Sequence, residues 1–320
     1  MLLYGLLVLS TCRASLRISR GQPFNFYVGR ADLDRRLRHL SVINFRERDM
    51  NQPQPINPAE MYENYFVPAM FLPWASILLR QAAPQSGEKV LDVACGTGIV
   101  ARQVAPLIGA SGQVVALDMN PAMLGIARTR PVPPGATITW QEGNAMALPF
   151  PDGAFDLTLC QHGLQFFPDR ALAVREMRRV LALKGRALVI VWQSLAQHPV
   201  FEALMKSVAR HLSLPIAAVI TPFALHDAEE LTSLFMASGF SKVELLSESI
   251  MVRFPEPARF VPLAVASSAA AVPAFAQLQM PARAALLETV QADVEPVLRN
   301  YRDANAVSFP MFAHIVVATT

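Results

Sequence analysis

The chain has 320 residues, of which 52% are apolar and 17% are charged, and its formal net charge is +3. This composition supports a sizeable buried core and argues against disorder along the whole chain. Three scattered cysteines are too few for a disulfide framework or a cysteine-rich metal site, which favours a reducing, cytoplasmic location.

The charge is unevenly distributed. Residues 1–49 hold nine arginines against four acidic residues, whereas the rest of the chain holds 19 basic and 21 acidic residues. The basic balance therefore belongs to this leader, and we expect no nucleic-acid partner. We predict that residues 1–49 are a non-essential extension, which leaves a targeting segment and an ordered arm as alternatives.

Residues 50–86 are predicted to form N-terminal cap helices. An aromatic-rich face runs through 58–82, and Pro68 and Pro73 are expected to bend or divide the helix. Two interpretations stay open: the helix packs against the core, or Tyr62 or Tyr65 covers a ligand.

From residue 87 to residue 195 short apolar strands alternate with helices. The predicted strands are 90–94, 113–117, 137–140, 155–160 and 187–192, and the predicted helices are 99–108, 121–130 and 169–183, the last capped by Asp169. Single helices between strands predict an α/β, doubly wound, mostly parallel sheet.

The acceptor-side region, 196–320, is predicted to be helical at first and then to supply two long strands, 242–252 and 307–319. Residues 256–303 between them are rich in Pro and Ala. The uncharged stretch 260–282 is long enough to span a bilayer, but three prolines interrupt it. We therefore expect a helical lid there and no stable membrane insertion.

A glycine-rich turn follows the first predicted strand. Gly96 and Gly98 allow a sharp turn and the close approach of a ligand, and Asp118, twenty residues on, can accept both hydroxyls of a ribose. The turn also fits a loose dinucleotide pattern, G-x-G-x-x-A. Asp92, four residues before Gly96, is poorly placed for a pyrophosphate and well placed for the ammonium group of a methionine moiety.

Asp92 to Gly98, Asp-x-x-Cys-Gly-x-Gly, closely resembles the first motif of class I S-adenosylmethionine (SAM)-dependent methyltransferases. The runs 118–127 and 143–156 resemble later motifs of these enzymes, most closely those of the menaquinone/ubiquinone-biosynthesis branch. The resemblance covers about residues 60–192. It implies a seven-stranded, Rossmann-like methyltransferase sheet, with the lid between strands 6 and 7, and SAM as cofactor.

The resemblance also implies a role for each matching residue. Asp92 and the amides near Ala94, Gly96 and Gly98 would hold the methionine end, Asp118 the ribose, Met119 the adenine face, and Asn144 and Ala145 the adenine edge, while Gln161 would lie near the methyl-transfer locus. Many relatives have Asp where this chain has Asn144, whose carbonyl can still accept from the adenine amino group.

His162, directly after the fourth predicted strand, is the candidate general base, and the alternative is a structural histidine. His198 and His226 are weaker candidates, and no metal-ligand spacing appears. Phe166, Phe167, the aromatic helix and the 256–282 stretch are expected to enclose a small, largely apolar acceptor.

The predicted reaction is O- or C-methylation of an aromatic, quinone- or polyketide-like molecule, with N-methylation left open. The alternatives are a SAM-binding protein without methyl transfer and a nicotinamide-dependent oxidoreductase. The region after the fourth strand lacks the Asn/Asp-Pro-Pro-Tyr run of enzymes that methylate base or glutamine amino groups.

Overall fold

The computed structural model describes residues 57–269 and 272–320. The leader at 1–49 lies outside these residues. The described chain begins with three consecutive helical segments: α1 (Pro58–Met61), a π-helix (Tyr62–Phe71) and α2 (Leu72–Ala82). Pro68 lies inside the π-helical segment, so the helix is not divided at this proline.

The π-helical winding decides which side chains meet. Nine residues make about two and a half turns of an α-helix, so residues nine apart would face opposite sides. The wider turn, in which the Leu72 N–H donates to the Val67 carbonyl, brings Tyr62 and Phe71 to the same side. Their ring centroids are 4.9 Å apart.

The remaining elements alternate as the sequence predicts. The strands are β1 (Lys89–Val93), β2 (Gln113–Asp118), β3 (Thr137–Glu142), β4 (Phe155–Gln161), β5 (Leu181–Trp192), β6 (Lys242–Pro255) and β7 (Ala306–Thr319). The helices are α3 (Ile99–Ile108), α4 (Pro121–Thr129), α5 (Arg170–Arg179), α6 (Pro199–His211), α7 (Ala228–Ala237), α8 (Pro257–Ala269), α9 (Pro273–Ala276) and α10 (Met280–Leu298).

The seven strands form one sheet in the order β3-β2-β1-β4-β5-β7-β6. β1 to β5 are parallel to their neighbours, and β7 is antiparallel to both β5 and β6. The order reverses between β1 and β4, where the carboxyl ends of the strands of a doubly wound sheet open into a ligand crevice. The predicted fold class is confirmed.

The helix predicted over 169–183 is too long. Asp169 does cap it, accepting from the Leu172 N–H at 2.8 Å, but the helix ends at Arg179. β5 begins at Leu181, which pairs with Phe155. The apolar residues at the end of the predicted helix thus belong to the sheet, since a bulge lets β5 start early.

The helices between β6 and β7 form an insertion, as predicted. α10 packs against α6 and α8, and its buried side chains include Val290 and Val294. Within residues 57–269 and 272–320, none of the helices combines the length and the apolar composition that a membrane span needs.

Gly98 marks a close contact between the first crossover and the third strand. It caps α3 with a left-handed φ of 85°. A Cβ at this position would lie 2.3 Å from the Trp140 ring on β3. Both the backbone conformation and the lack of space therefore require glycine.

We predict that Gly98→Ala lowers the melting temperature by several degrees, because the strained φ and the Trp140 contact together cost about 2 kcal/mol or more. Gly125→Ala in α4 is the control, since no heavy atom lies within 4 Å of its added Cβ. That control should leave stability unchanged or raise it by about 0.5–1 kcal/mol. Equal melting temperatures for Gly98→Ala and the parent would contradict this packing.

Candidate cofactor and acceptor site

Asp118, at the end of β2, holds two backbone turns at the carboxyl edge of the sheet. Its Oδ2 accepts from the Gly96 N–H at 2.7 Å and its Oδ1 from the Asn120 N–H at 2.8 Å. Each oxygen keeps a further lone pair. Asp118 as a whole is 9% exposed, so it is largely but not fully shielded from solvent at this edge of the sheet.

Asp92 lies beneath the same loop and is almost fully buried. Its Oδ2 accepts from the Ala101 N–H, in the first turn of α3, at 3.0 Å. Burial raises the pKa of Asp92 to about 8, the Ala101 bond acts against that rise, and the charge of Asp118 adds to it. Burial also raises the pKa of Asp118. Two buried acids in this arrangement are most easily kept ionised by a cationic ligand.

Tyr62 lies over the glycine loop, and its predicted role as the cover of a ligand stays a prediction. Its ring lies 4.0 Å from the position that a Cβ on Gly96 would take. Burial and the neighbouring carboxylates hold the pKa of Tyr62 far above its ordinary value, so its hydroxyl stays protonated. Tyr65 instead donates to the Pro255 carbonyl at 3.2 Å and packs against Phe254, so it is a packing residue.

An ion pair ties the π-helix to the loop. Glu63 accepts from Arg102 of α3 at 2.9 Å, and Arg102 also donates to the Thr97 carbonyl. The two side chains are 9% and 12% exposed, respectively, so this pair is shielded from solvent far more than a surface salt bridge. The ion pair therefore fixes the position of the Tyr62 ring relative to the loop.

The predicted adenine side is open to solvent. Met119 is 74% exposed, which leaves apolar surface that a ligand could cover. The Asn144 carbonyl oxygen accepts from the Met146 N–H at 2.9 Å, and Ala145 is buried beside it. Among the residues that the structure describes, no group occupies the other carbonyl lone pair or the amide donors of Asn144, so they can meet an adenine edge.

Two amides that the resemblance assigns to the methionine end are engaged within the loop. The Gly96 N–H donates to Asp118, and the Gly98 N–H donates to the Cys95 carbonyl at 2.8 Å. Ala94, at the end of β1, has a left-handed φ of 55°. The predicted roles of these amides stay predictions.

His162 follows β4 with a left-handed φ of 53°, an unusual conformation for a residue with a side chain. Its ring stacks on Trp192 at the end of β5, with centroids 3.6 Å apart. Neither ring nitrogen bonds to any group in the described part of the chain. Burial holds the pKa of His162 well below its usual range, so the imidazole is neutral at physiological pH.

The turn after β4 touches the glycine loop directly. A Cβ at Gly163 would lie 2.7 Å from the Ala94 Cβ and 2.9 Å from the Cys160 Sγ, so only glycine allows this approach. Gln161, predicted near the methyl-transfer locus, donates to the Phe71 carbonyl at 3.0 Å. The end of β4 therefore contacts both the loop and the π-helix.

A cavity of about 190 Å³ lies beside these elements. The π-helix contributes Tyr62, Phe66, Met70 and Phe71 to the cavity lining, and the insertion contributes Ser267 and Val272. The other lining residues are His162, Gln165, Phe166, Trp192, Phe201, Met205, Ala218, Val219, Thr221, Pro222, Phe223 and Met311. Every residue of this described lining is uncharged. Phe166 lines the cavity as expected, whereas Phe167 packs in the core on the other side of the sheet.

The sequence interpretation missed Gln165. It lies on a 3₁₀ turn, Leu164–Phe166, is 2% exposed, and lines the cavity. A glutamine between two apolar residues carries little signal in a sequence, because only the turn directs it inward.

The other two candidate histidines, His198 and His226, do not line the cavity. His198 is bonded through both ring nitrogens: Nδ1 lies 2.9 Å from the Ser194 carbonyl, and Nε2 accepts from the Phe312 N–H at 3.0 Å. His226 is exposed and lies 2.9 Å from the Phe223 carbonyl through Nδ1. Within residues 57–269 and 272–320, no group of three acidic, His or Cys side chains could hold a metal ion.

Known proteins resemble this chain over the same region. A sequence profile of the ubiE/COQ5 methyltransferase family matches residues 69–219. A ubiquinone/menaquinone biosynthesis C-methyltransferase UbiE from Shewanella frigidimarina is 32% identical over 185 residues, which are 53% of this chain and 73% of that protein.

Two shorter matches have higher identity. A protein of the same name from Cellvibrio japonicus is 41% identical over 37% of this chain and 48% of its own length. A 2-phytyl-1,4-naphtoquinone methyltransferase from Synechococcus elongatus is 36% identical over 37% of this chain and 51% of its own length. The chain thus spans about half the length of these two relatives.

We predict that Asp92→Asn stabilises the ligand-free protein at neutral pH by more than about 1.4 kcal/mol, the equivalent of one pKa unit. A carboxyl whose pKa rises from 3.8 to about 8 on folding favours the folded state at low pH, and that contribution is lost as pH rises through this window. The gain of the variant should therefore grow from pH 4 to pH 8 in denaturant titrations.

The control is Asp303→Asn, which should act in the opposite sense. Backbone N–H donation from Asn305 holds the pKa of Asp303 below its usual range, so its ionised form favours folding above pH 4. A stability difference for Asp92→Asn that does not vary with pH would contradict the buried, proton-binding state of this carboxyl.

Proposed function

Because the chain belongs to the ubiE/COQ5 methyltransferase family, we propose that it transfers the methyl group of SAM to a carbon or oxygen atom of a small, uncharged aromatic acceptor. The observation that carries this proposal is the contact between two sites. A loop above two buried acids contacts Tyr62 and the turn after β4, and both of these border an uncharged cavity that contains a neutral histidine.

The donor set fits SAM. Asp118 has lone pairs free for two ribose hydroxyls, Met119 offers apolar surface to an adenine ring, and Asp92 and Asp118 place negative charge beneath a ligand that carries both a sulfonium and an ammonium group. When bound, SAM supplies a methyl group activated by the sulfonium. The chain's residues then need mainly to orient the two reactants and exclude water.

The acceptor cavity favours an uncharged, flat molecule. Seven aromatic side chains contribute to its lining, and Tyr62 belongs to both the cavity wall and the cover of the loop. The names of the relatives refer to ubiquinone, menaquinone and a naphthoquinone, which supports a quinone-like ring. The C-methyltransferase name of two of them favours carbon over oxygen.

His162 is the proposed general base. Its neutral ring can accept the proton of a ring hydroxyl, which places electron density on the oxygen and on the neighbouring ring carbons. The negative charge that develops on the acceptor would raise the depressed pKa of His162 and hold the proton there. SAM held over Asp92 and Asp118 would supply the methyl group, whose bond to sulfur breaks as the bond to the acceptor forms. At a carbon acceptor the ring would then lose the hydrogen of the methylated carbon while its oxygen regains a proton, so that one proton in all leaves through His162 to solvent.

The two alternatives make different demands. A SAM-binding protein without methyl transfer would need the loop but not an acceptor cavity lined by a neutral histidine. A nicotinamide-dependent oxidoreductase would need a site for a pyrophosphate, and two buried acids beneath the loop supply no positive charge for that anion. A cytoplasmic location and the absence of a nucleic-acid partner stay predictions.

We predict micromolar SAM binding to the full chain in calorimetric titrations, and a loss of at least about tenfold in affinity for Asp118→Asn, since hydrogen bonds to a charged acceptor are removed. Asp156→Asn is the matched control. Its carboxylate also accepts from a backbone N–H, that of Lys89 at 2.9 Å, but at the opposite edge of the sheet. Failure of the folded parent protein to bind SAM would overturn the proposal.

We predict that His162→Phe lowers kcat by about 100-fold or more and leaves SAM affinity unchanged, because the aromatic stack on Trp192 is kept and only the base is removed. Transfer of the labelled methyl group from SAM to 1,4-naphthalenediol measures the rate. His226→Phe, at an exposed histidine outside the cavity, should retain full activity. An unchanged kcat for His162→Phe would rule out His162 as the base.

A further inference from the structure

Gln165 is a buried polar side chain in an apolar cavity. Its side chain is 2% exposed, and neither its Oε1 nor its Nε2 bonds to any protein group within residues 57–269 and 272–320. A buried carboxamide without a partner costs about 1–3 kcal/mol of stability. A residue that contributed only to packing would be better replaced here by an apolar one.

The backbone around Gln165 is firmly held. Leu164 is fully buried, and the Phe166 N–H donates to the Gly163 carbonyl at 3.0 Å. The Arg170 side chain donates to the backbone carbonyl of Gln165 at 3.3 Å. The 3₁₀ turn packs beside a second one, Thr221–Phe223, which forms another part of the cavity wall. The carboxamide is therefore presented at a defined point of the cavity.

Size and charge restrict what can meet this carboxamide. A protein cavity of about 150 Å³ holds benzene, so a cavity of about 190 Å³ takes one substituted ring or a compact bicyclic system. The uncharged lining disfavours an ionic substituent. A carboxamide can accept from a hydroxyl through Oε1 and donate to a carbonyl through Nε2.

We propose that Gln165 is a specificity-determining residue that binds a hydroxyl or carbonyl oxygen on the ring of the acceptor. This inference rests on the proposed function for the identity of the cavity as the acceptor site. The carboxamide selects oxygenated rings over hydrocarbon rings of the same shape, and it binds the hydroxyl and the carbonyl form alike. It positions the ring, while His162 remains the base.

Ligand binding without SAM tests the proposal. Calorimetric titrations with 1-naphthol, 1,4-naphthoquinone and naphthalene give the affinity of each oxygenated ring relative to the hydrocarbon. In Gln165→Met, which keeps the length of the side chain, both ratios should fall by about tenfold, because one hydrogen bond to the ligand is lost. The affinity for naphthalene should stay the same or rise.

The melting temperature separates recognition from a structural role. Removing an unpartnered buried carboxamide should leave the melting temperature of Gln165→Met unchanged or higher, whereas loss of a structural contact would lower it. Met205→Leu is the control, since Met205 lines the same cavity without a hydrogen-bonding group. It should change the three affinities by the same factor.

Three results would overturn the proposal: unchanged affinity ratios in Gln165→Met, an equal loss for all three ligands together with a lower melting temperature, or no binding of any ring by the folded parent protein. A SAM titration on the same preparations keeps the two proposals apart. SAM binding without preference for oxygenated rings contradicts only the role of Gln165, whereas preference without SAM binding contradicts only the methyl-transfer proposal.

Discussion

The bond between the Asp118 carboxylate and the Gly96 amide is the interaction on which the site depends. It joins the end of β2 to the loop after β1, and the second oxygen of Asp118 fixes the turn into α4 through Asn120. Asp92 supports the same loop from below through the first turn of α3. Keeping both acids ionised in a buried place is costly, and a ligand with positive charge offsets that cost. The scaffold thus favours a cationic ligand before any acceptor enters.

The π-helix connects this cofactor side to the acceptor side. Its first residue, Tyr62, lies over the loop and also forms part of the cavity wall, while the carbonyl of its last residue, Phe71, is bonded to Gln161 at the end of β4. The Glu63–Arg102 pair fixes the segment to α3. A change at either end of the π-helix therefore affects both ligands. π-Helical turns in proteins often occur at functional sites. In this chain the π-helical winding brings the rings of Tyr62 and Phe71 into contact.

Much of this architecture follows from the sequence. Apolar runs that lie between segments of helical periodicity predicted the seven strands, and the motif beginning at Asp92 predicted a ligand loop. Strands and loop could be predicted because each depends on a local sequence pattern. The end of α5 was missed because the apolar residues after Arg179 keep the spacing of the helix. In the structure the residues from Leu181 onward belong to β5, since they pair with β4. The π-helical winding around Pro68 has no sequence pattern of its own. Gln165 was missed because its direction depends on a 3₁₀ turn and its significance on the apolar residues that surround it.

A crystal structure of the full chain with S-adenosylhomocysteine would locate the cofactor loop and the acceptor cavity relative to the bound sulfur in one measurement. We expect the ribose hydroxyls to lie within hydrogen-bonding distance of the Asp118 carboxylate, and the sulfur to face the cavity between Tyr62 and His162. A nucleoside bound away from Asp118, or a sulfur turned away from that cavity, would contradict this expectation.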